Sequence, residues 1–168
     1  MKRRFAILAF ALFVGSWTKG FADFPIRQSA NSDGLPSIAY NSVDHEYLVI
    51  WVEVVQTGNL FTFSVMGQRV GEDGAMLGNQ FVILPLAVNP SVAYNSANNE
   101  YLVGGNPGGG YVGQRVSNTG ALLGSPTTLM NGVGSSRLLY NSITGQYLFL
   151  GAALEETPSG SGYYNIKI

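Results

Sequence analysis

Asp44, Glu46 and Glu53 are the one group of acids close enough in sequence to be weighed as a glycosidase pair. That chemistry needs two carboxyl groups held about 5 to 9 Å apart. These acids fall in a polar turn and beside a long insertion, where carboxylates are ordinarily solvated. His45 is the single histidine, which excludes a multi-histidine metal site and leaves no Ser-His-Asp triad unless this residue serves in it. Its turn position makes it a surface residue. Asp33-Gly34 and Asp73-Gly74 look like pieces of a calcium loop, yet neither carries the alternating oxygen ligands such a loop requires. The glycine-rich run 104–110 has no helix after it, so it reads as a hairpin connection and not a phosphate cradle. No metal and no cofactor are expected.

Two further sets of residues bear on recognition. Trp51, with Phe61 and Phe63 in the neighbouring insertion 52–63, offers the aromatic surface on which a sugar stacks, and Glu53 would supply a polar contact. The competing reading is a longer strand pair with buried rings. Arg69, Arg115 and Lys167 fall in one equivalent slot, with Glu46 and Glu100 recurring at another. Clustered arginines hold a carboxylate in sialidase-like enzymes. A repeated basic residue more simply lays its stem on apolar surface while its head meets an acid such as Glu46.

What must position all of these is a repeat. Pro36-Ser37-Ile38-Ala39-Tyr40-Asn41-Ser42, followed by Tyr47-Leu48-Val49, returns as Pro90-Ser91-Val92-Ala93-Tyr94-Asn95-Ser96 with Tyr101-Leu102-Val103. A third copy runs Ser136-Arg137-Leu138-Leu139-Tyr140-Asn141-Ser142 with Tyr147-Leu148-Phe149. Gly67-Gln68-Arg69-Val70 and Gly113-Gln114-Arg115-Val116 follow in the first two copies, and each leads to a Gly-Ala-(Met/Leu)-Leu-Gly run. Tyr40, Tyr94 and Tyr140 thus mark one slot, and Tyr47, Tyr101 and Tyr147 another. Recurrence at a fixed place is what packing between neighbouring units produces, with sugar stacking as the alternative.

Each unit reads as four strands. In the first they lie near 38–40, 47–52, 61–70 and 80–84, and the last strand of the second is near 127–130. The polar run after Tyr40 suits a tight turn in which Asn41 bonds its own backbone. The second strand is nearly continuous in apolar residues, as for a strand covered on both faces. Gly74 and Gly120 supply the positive φ that a hairpin turn needs. No period of 3.6 and no capped helical run follows the leader.

A four-stranded unit of about 45 residues has the size of a propeller blade. The recurring Pro-Ser-Val-Ala-Tyr-Asn-Ser, Glu-Tyr-Leu-Val, Gly-Gln-Arg-Val and Gly-Ala-Leu-Leu-Gly segments resemble the blades of uncharacterised secreted bacterial repeat proteins of β-propeller type. The resemblance implies an all-β, propeller-like array of about three four-stranded antiparallel blades, and it implies no catalytic residue. The units run from about 36 to 89, 90 to 135 and 136 to 168. The third stops short of a fourth strand, whereas 24–28 reads as an orphan fourth strand. The last blade is therefore expected to be completed by the N-terminal strand or by a second chain. Three blades are fewer than the four or more that close a ring, so the alternatives are a homodimer closing a six-bladed ring and a shortened repeat protein.

Met1-Lys2-Arg3-Arg4, the apolar stretch 5–14 and Gly20-Phe21-Ala22 have the layout of a secretory signal, with cleavage expected after Ala22. The apolar stretch is too short to span a bilayer. The mature domain would be 23–168, secreted or periplasmic. Processing would leave five basic residues against ten acids, a net charge of about −5, with no basic run to draw nucleic acid or an anionic membrane. The chain has no cysteine, so packing and not disulfides must hold it. The function expected is a non-enzymatic binding or scaffolding module that recognises a glycan or an extracellular protein through blade loops. A glycosidase or sialidase-like hydrolase and a truncated propeller fragment are the alternatives.

Overall fold

The computed structural model describes residues 25–26, 31–156 and 162–167. The leader, its cleavage point after Ala22 and most of the segment 24–28 lie outside the described residues.

Short runs of β-branched and aromatic residues alternate with turn formers, and eleven strands result among the described residues. β1 (Ser32–Asn41), β2 (Glu46–Thr57), β3 (Leu60–Gly71) and β4 (Met76–Pro85) form an antiparallel sheet in chain order. β5 (Val88–Asn95), β6 (Glu100–Asn106), β7 (Gly110–Ser117) and β8 (Leu122–Asn131) form a second sheet the same way. β9 (Val133–Asn141), β10 (Gln146–Glu156) and β11 (Gly162–Lys167) form a third with β10 in the middle. No helix occurs among the described residues, so the chain is all-β. The third sheet has three described strands, one fewer than a full unit, and the described strands close neither a barrel nor a propeller ring.

One turn design recurs in all three sheets. The Asn41 side-chain oxygen accepts the backbone N–H groups of Val43 (2.9 Å) and Asp44 (3.0 Å). Asn95 does the same for Ala97 and Asn98, and Asn141 for Ile143 and Thr144. Such self-capping frees the turn from any outside partner. Each turn ends on a left-handed residue, His45, Asn99 or Gly145, with φ of 56°, 50° and 69°. The turns fix the register, so Tyr40 faces Tyr47, Tyr94 faces Tyr101 and Tyr140 faces Tyr147. Their ring centroids lie 5.0, 5.3 and 5.1 Å apart in tilted pairs, a favourable cross-strand arrangement.

The sheets stack through their first strands, with β5 against both β1 and β9. Side chains alternate across β6. Tyr101 and Val103 enter a core with Leu48, Ile50, Val65 and Ile83 of the first sheet. Leu102, from the opposite face, joins Ala93 and Leu138 in a second core toward the third. Two glycines permit this closeness. A methyl on Gly105 would press on Leu84, Ala87 and Val65 at 3.1 to 3.3 Å, and one on Gly104 would overlap the Tyr111 ring and touch Leu138. The hydroxyl of Ser91 accepts the Leu138 N–H at 2.9 Å and ties β5 to β9.

Candidate functional site

The acids weighed for chemistry are bonded between and within the sheets. Glu46 is buried at the start of β2 and takes a two-pronged contact from Arg69 of β3, with Nη2 to Oε2 at 2.6 Å and Nε to Oε1 at 2.9 Å. Arg69 also donates to the Thr119 carbonyl of the second sheet at 3.3 Å, and the Tyr101 hydroxyl lies 3.5 Å from Glu46. The Glu46 contact raises the Arg69 guanidinium pKa further. Burial, then the Glu46 charge, pushes the Tyr101 phenol up, so the tyrosine stays a neutral donor. Glu100 and Arg115 repeat the fork in the second sheet, with Nη2 to Oε2 at 2.5 Å. Both arginines therefore brace the sheets. Lys167 does not share their slot: it pairs with Gly151, as Met66 pairs with Trp51 and Val112 with Gly105, three places from the arginines, and its side chain lies outside the described residues.

Asp44 bridges the first two sheets. It accepts from Asn118 at 2.9 Å, Asn99 at 3.0 Å and Asn41 at 3.2 Å, and these bonds, Asn118 first, hold its carboxyl below the usual range. His45 stands 3.0 Å from the Tyr40 hydroxyl and 3.3 Å from Glu72. Tyr40 donates to Glu72, which lifts its own pKa to about 12 and lowers that of Glu72. This exposed trio surrounds the one histidine, which sequence reading left as an isolated surface residue.

Glu53 belongs elsewhere. β2 and β3 pair without a bulge from Glu46↔Gly71 to Thr57↔Leu60, and directly paired residues share a face. Glu53 and Trp51 therefore lie on one face of the first sheet and Glu46 on the other. Phe63 pairs with Val54 and Phe61 with Gln56, which puts both phenylalanines on the face opposite Trp51. Trp51 is buried, Glu53 accepts the Asn31 side-chain N–H at 2.7 Å, and Phe61 and Phe63 are exposed near the hairpin tip. The four residues do not form one aromatic platform. Among the described residues no three His, Asp or Glu side chains gather as a metal would need.

A different group does converge. The starts of the three first strands supply Leu35 and Pro36, Asn89 and Pro90, and Ser136 and Arg137 to one cavity of about 230 Å³. Pro36, Pro90 and Ser136 occupy one slot of the three sheets, Leu35 and Asn89 the slot before it, and Arg137 the slot after it. β1 bulges between Gly34 and Ser37, and β5 between Val88 and Ser91, with Leu35 and Asn89 left-handed at φ of 52° and 54°. Bulges at such places re-aim side chains. Tyr111 braces the second one by donating to the Asn89 carbonyl at 2.9 Å. Arg137 is exposed at this cavity and makes no ion pair with a described residue. It replaces the serine of the other two copies, Ser37 and Ser91. That exchange was visible in the aligned sequence; that the three strand starts meet was not. The β2–β3 hairpin, with exposed Leu60, Phe61 and Phe63, projects from the same end of the sheets, because Ser32 at the start of β1 pairs with Val54 near the end of β2.

No family model, no curated protein and no solved structure gives a significant match to the chain.

Proposed function

We propose that this chain is an exported, non-enzymatic binding or scaffolding module of the propeller type, and that its ligand is a carboxylate-bearing glycan or an acidic protein surface. The observation that carries the reading is the meeting of three equivalent strand starts at one cavity where their side chains differ. Slots that pack sheet against sheet keep like residues: the tyrosines and the turn asparagines in all three copies, and the Glu–Arg forks in the first two. At the cavity mouth the shared slot is proline in the first two copies and Ser136 in the third, and the next residue, serine in the first two copies, is Arg137 in the third. A repeated scaffold needs likeness only where it stacks, so divergence at a shared mouth is where recognition is built. A planar guanidinium that no described residue pairs suits a carboxylate, which it holds with two parallel bonds. The stacking of first strands on first strands supports a propeller-like arrangement, because those are the strands that surround a propeller's axis.

The test is an array of acidic and neutral oligosaccharides probed with the wild type and with Arg137→Ser, which installs the residue that both other copies carry. Acidic sugars should bind, and the substitution should weaken them at least tenfold without changing the melting temperature. Equal binding by the two proteins, or a preference for neutral sugars that Arg137→Ser leaves intact, would remove Arg137 from the site.

A further inference from the structure

The molecule buries one kind of junction and repeats its two halves at opposite ends, the one on the third sheet exposed and the one on the first partly covered. Between the first and second sheets, Ala39, Leu48 and Ile50 of one side meet Val92, Tyr101, Val103 and Val116 of the other. The outer face of the third sheet carries Leu139, Leu148 and Leu150 in the slots of Ala39, Leu48 and Ile50. Leu139 and Leu148 are 61% and 43% exposed there, whereas Leu48 is fully buried. The outer face of the first sheet carries Ile38, Tyr47, Val49 and Val70 in the slots of Val92, Tyr101, Val103 and Val116. Ile38 is 58% exposed where Val92 is 6%, while Val49 and Val70 are already buried within the chain.

The polar contacts at the rim repeat as well. In the buried junction the Tyr101 hydroxyl approaches Glu46, and Asn41 donates to Asn99 at 2.8 Å. The exposed halves hold the matching members: Gln146 and Asn141 on the third sheet, Tyr47 and His45 on the first. Gln146 offers the same carbonyl acceptor without the charge.

Ile26 adds an independent mark. Its carbonyl accepts from the Gln80 side chain at 3.3 Å, and it lines a cleft of about 340 Å³ with Ile38, Tyr47, Val49 and Val70. On the second sheet the equivalent residues are covered by Phe81 and Ile83 of β4, the fourth strand of the preceding sheet. Ile26 thus stands where the fourth strand of a preceding sheet would stand. The third sheet has three described strands, with β11 at its edge.

We infer that a second copy of this chain docks head to tail, the outer face of its third sheet on the outer face of the first sheet and its β11 beside Ile26. The two copies dock reciprocally, since each has both faces, and six sheets then close a two-fold ring. The junction is a continuation of the one already inside the chain, and it covers Leu139, Leu148 and Leu150 at one end and Ile38 at the other. It does not rest on the ligand proposed for the Arg137 cavity, which exists within one copy.

Sedimentation equilibrium on the purified chain should give a mass near twice that of its own polypeptide, constant over a hundredfold range of concentration. Leu148→Glu on one face and Ile38→Glu on the other each sit at exposed positions, so each protein should fold with an unchanged circular dichroism spectrum and run as a monomer. Mixed, the two variants should pair, because each retains the face that the other has lost. A monomeric wild type, a dimer that survives both substitutions, or a mass that climbs with concentration as a filament does would overturn the proposal. So would a mixture of the two variants that stays monomeric, which is the result for like faces meeting like.

Discussion

The two forks that brace the sheets, Glu46–Arg69 and Glu100–Arg115, have the same register and the same geometry, and they differ in what lies over them. Arg69 is covered by the next sheet's turn, with Thr119 accepting from it and Gly120 packed on its stem, and its side chain is 22% exposed. Arg115 is 55% exposed. Water around Arg115 screens its attraction to Glu100 and can solvate it if that partner is lost, whereas Arg69 has little such recourse. A repeated contact is therefore worth what its neighbour makes it worth, and the same substitution in two sheets becomes a measurement of the covering layer.

The largest expected difference comes from removing the acid. Glu46→Gln leaves a half-covered guanidinium without its charge and should cost about 3 kcal/mol. Glu100→Gln leaves a mostly hydrated one and should cost about 1 kcal/mol. Urea denaturation, read as a shift of midpoint at constant slope, measures both. Equal costs would mean that the second sheet adds nothing to the first fork. A second contrast is steric. Gly105→Ala pushes a methyl into Leu84, Ala87 and Val65, and overpacking of this kind should cost about 1–2 kcal/mol. Gly34→Ala, with nothing within 4 Å of the new methyl, should be neutral or slightly stabilising by the same assay.

The strands, the self-capping turns, the tyrosine pairs and the Glu–Arg forks were legible in the sequence because each depends on residues that recur. A slot repeated three times declares its own register. Trp51 and Phe61 were not legible in that way, since the longer β2–β3 hairpin has no second copy to compare. The signal that would have separated them is the Gly58-Asn59 turn. A two-residue connection fixes Thr57 opposite Leu60, and counting back from it places Trp51 and Phe61 on opposite faces. The Arg137 cavity lay beyond sequence reasoning for another reason. Its members are neighbours only because β5 packs on both β1 and β9, and that stacking is set by Gly104 and Gly105 and by the alternation of side chains across β6.

Acid should loosen the two junctions unequally. Asp44 takes amide bonds from both sides of the first junction, and its pKa is lowered from the ordinary 3.8. A carboxyl lowered on folding contributes stability that is present above its unfolded pKa and lost as pH falls through the folded one. The corresponding residue in the second sheet is Asn98, which does not ionise. Asp44→Asn should therefore lower the denaturation midpoint at neutral pH, and the gap from wild type should shrink steadily below about pH 4. A gap independent of pH would show that the carboxylate charge plays no part in holding the sheets together.

The finest contrast is within one turn slot. His45 and Asn99 are both left-handed where the third sheet has Gly145, so glycine relieves the same backbone strain at either place while adding flexibility to the unfolded chain. What differs is the side chain's work. Asn99 bonds to Asn41 and Asp44 across the first junction and to the hydroxyl of Tyr94, whereas His45 bonds only to exposed groups of its own sheet among its described contacts. Asn99→Gly should lose about 1 kcal/mol. His45→Gly should stay within about 0.5 kcal/mol of the wild type, a change best read as the difference in melting temperature between the two variants. Should His45→Gly be the more damaging, the Tyr40–His45–Glu72 trio holds more of the structure than its exposure implies.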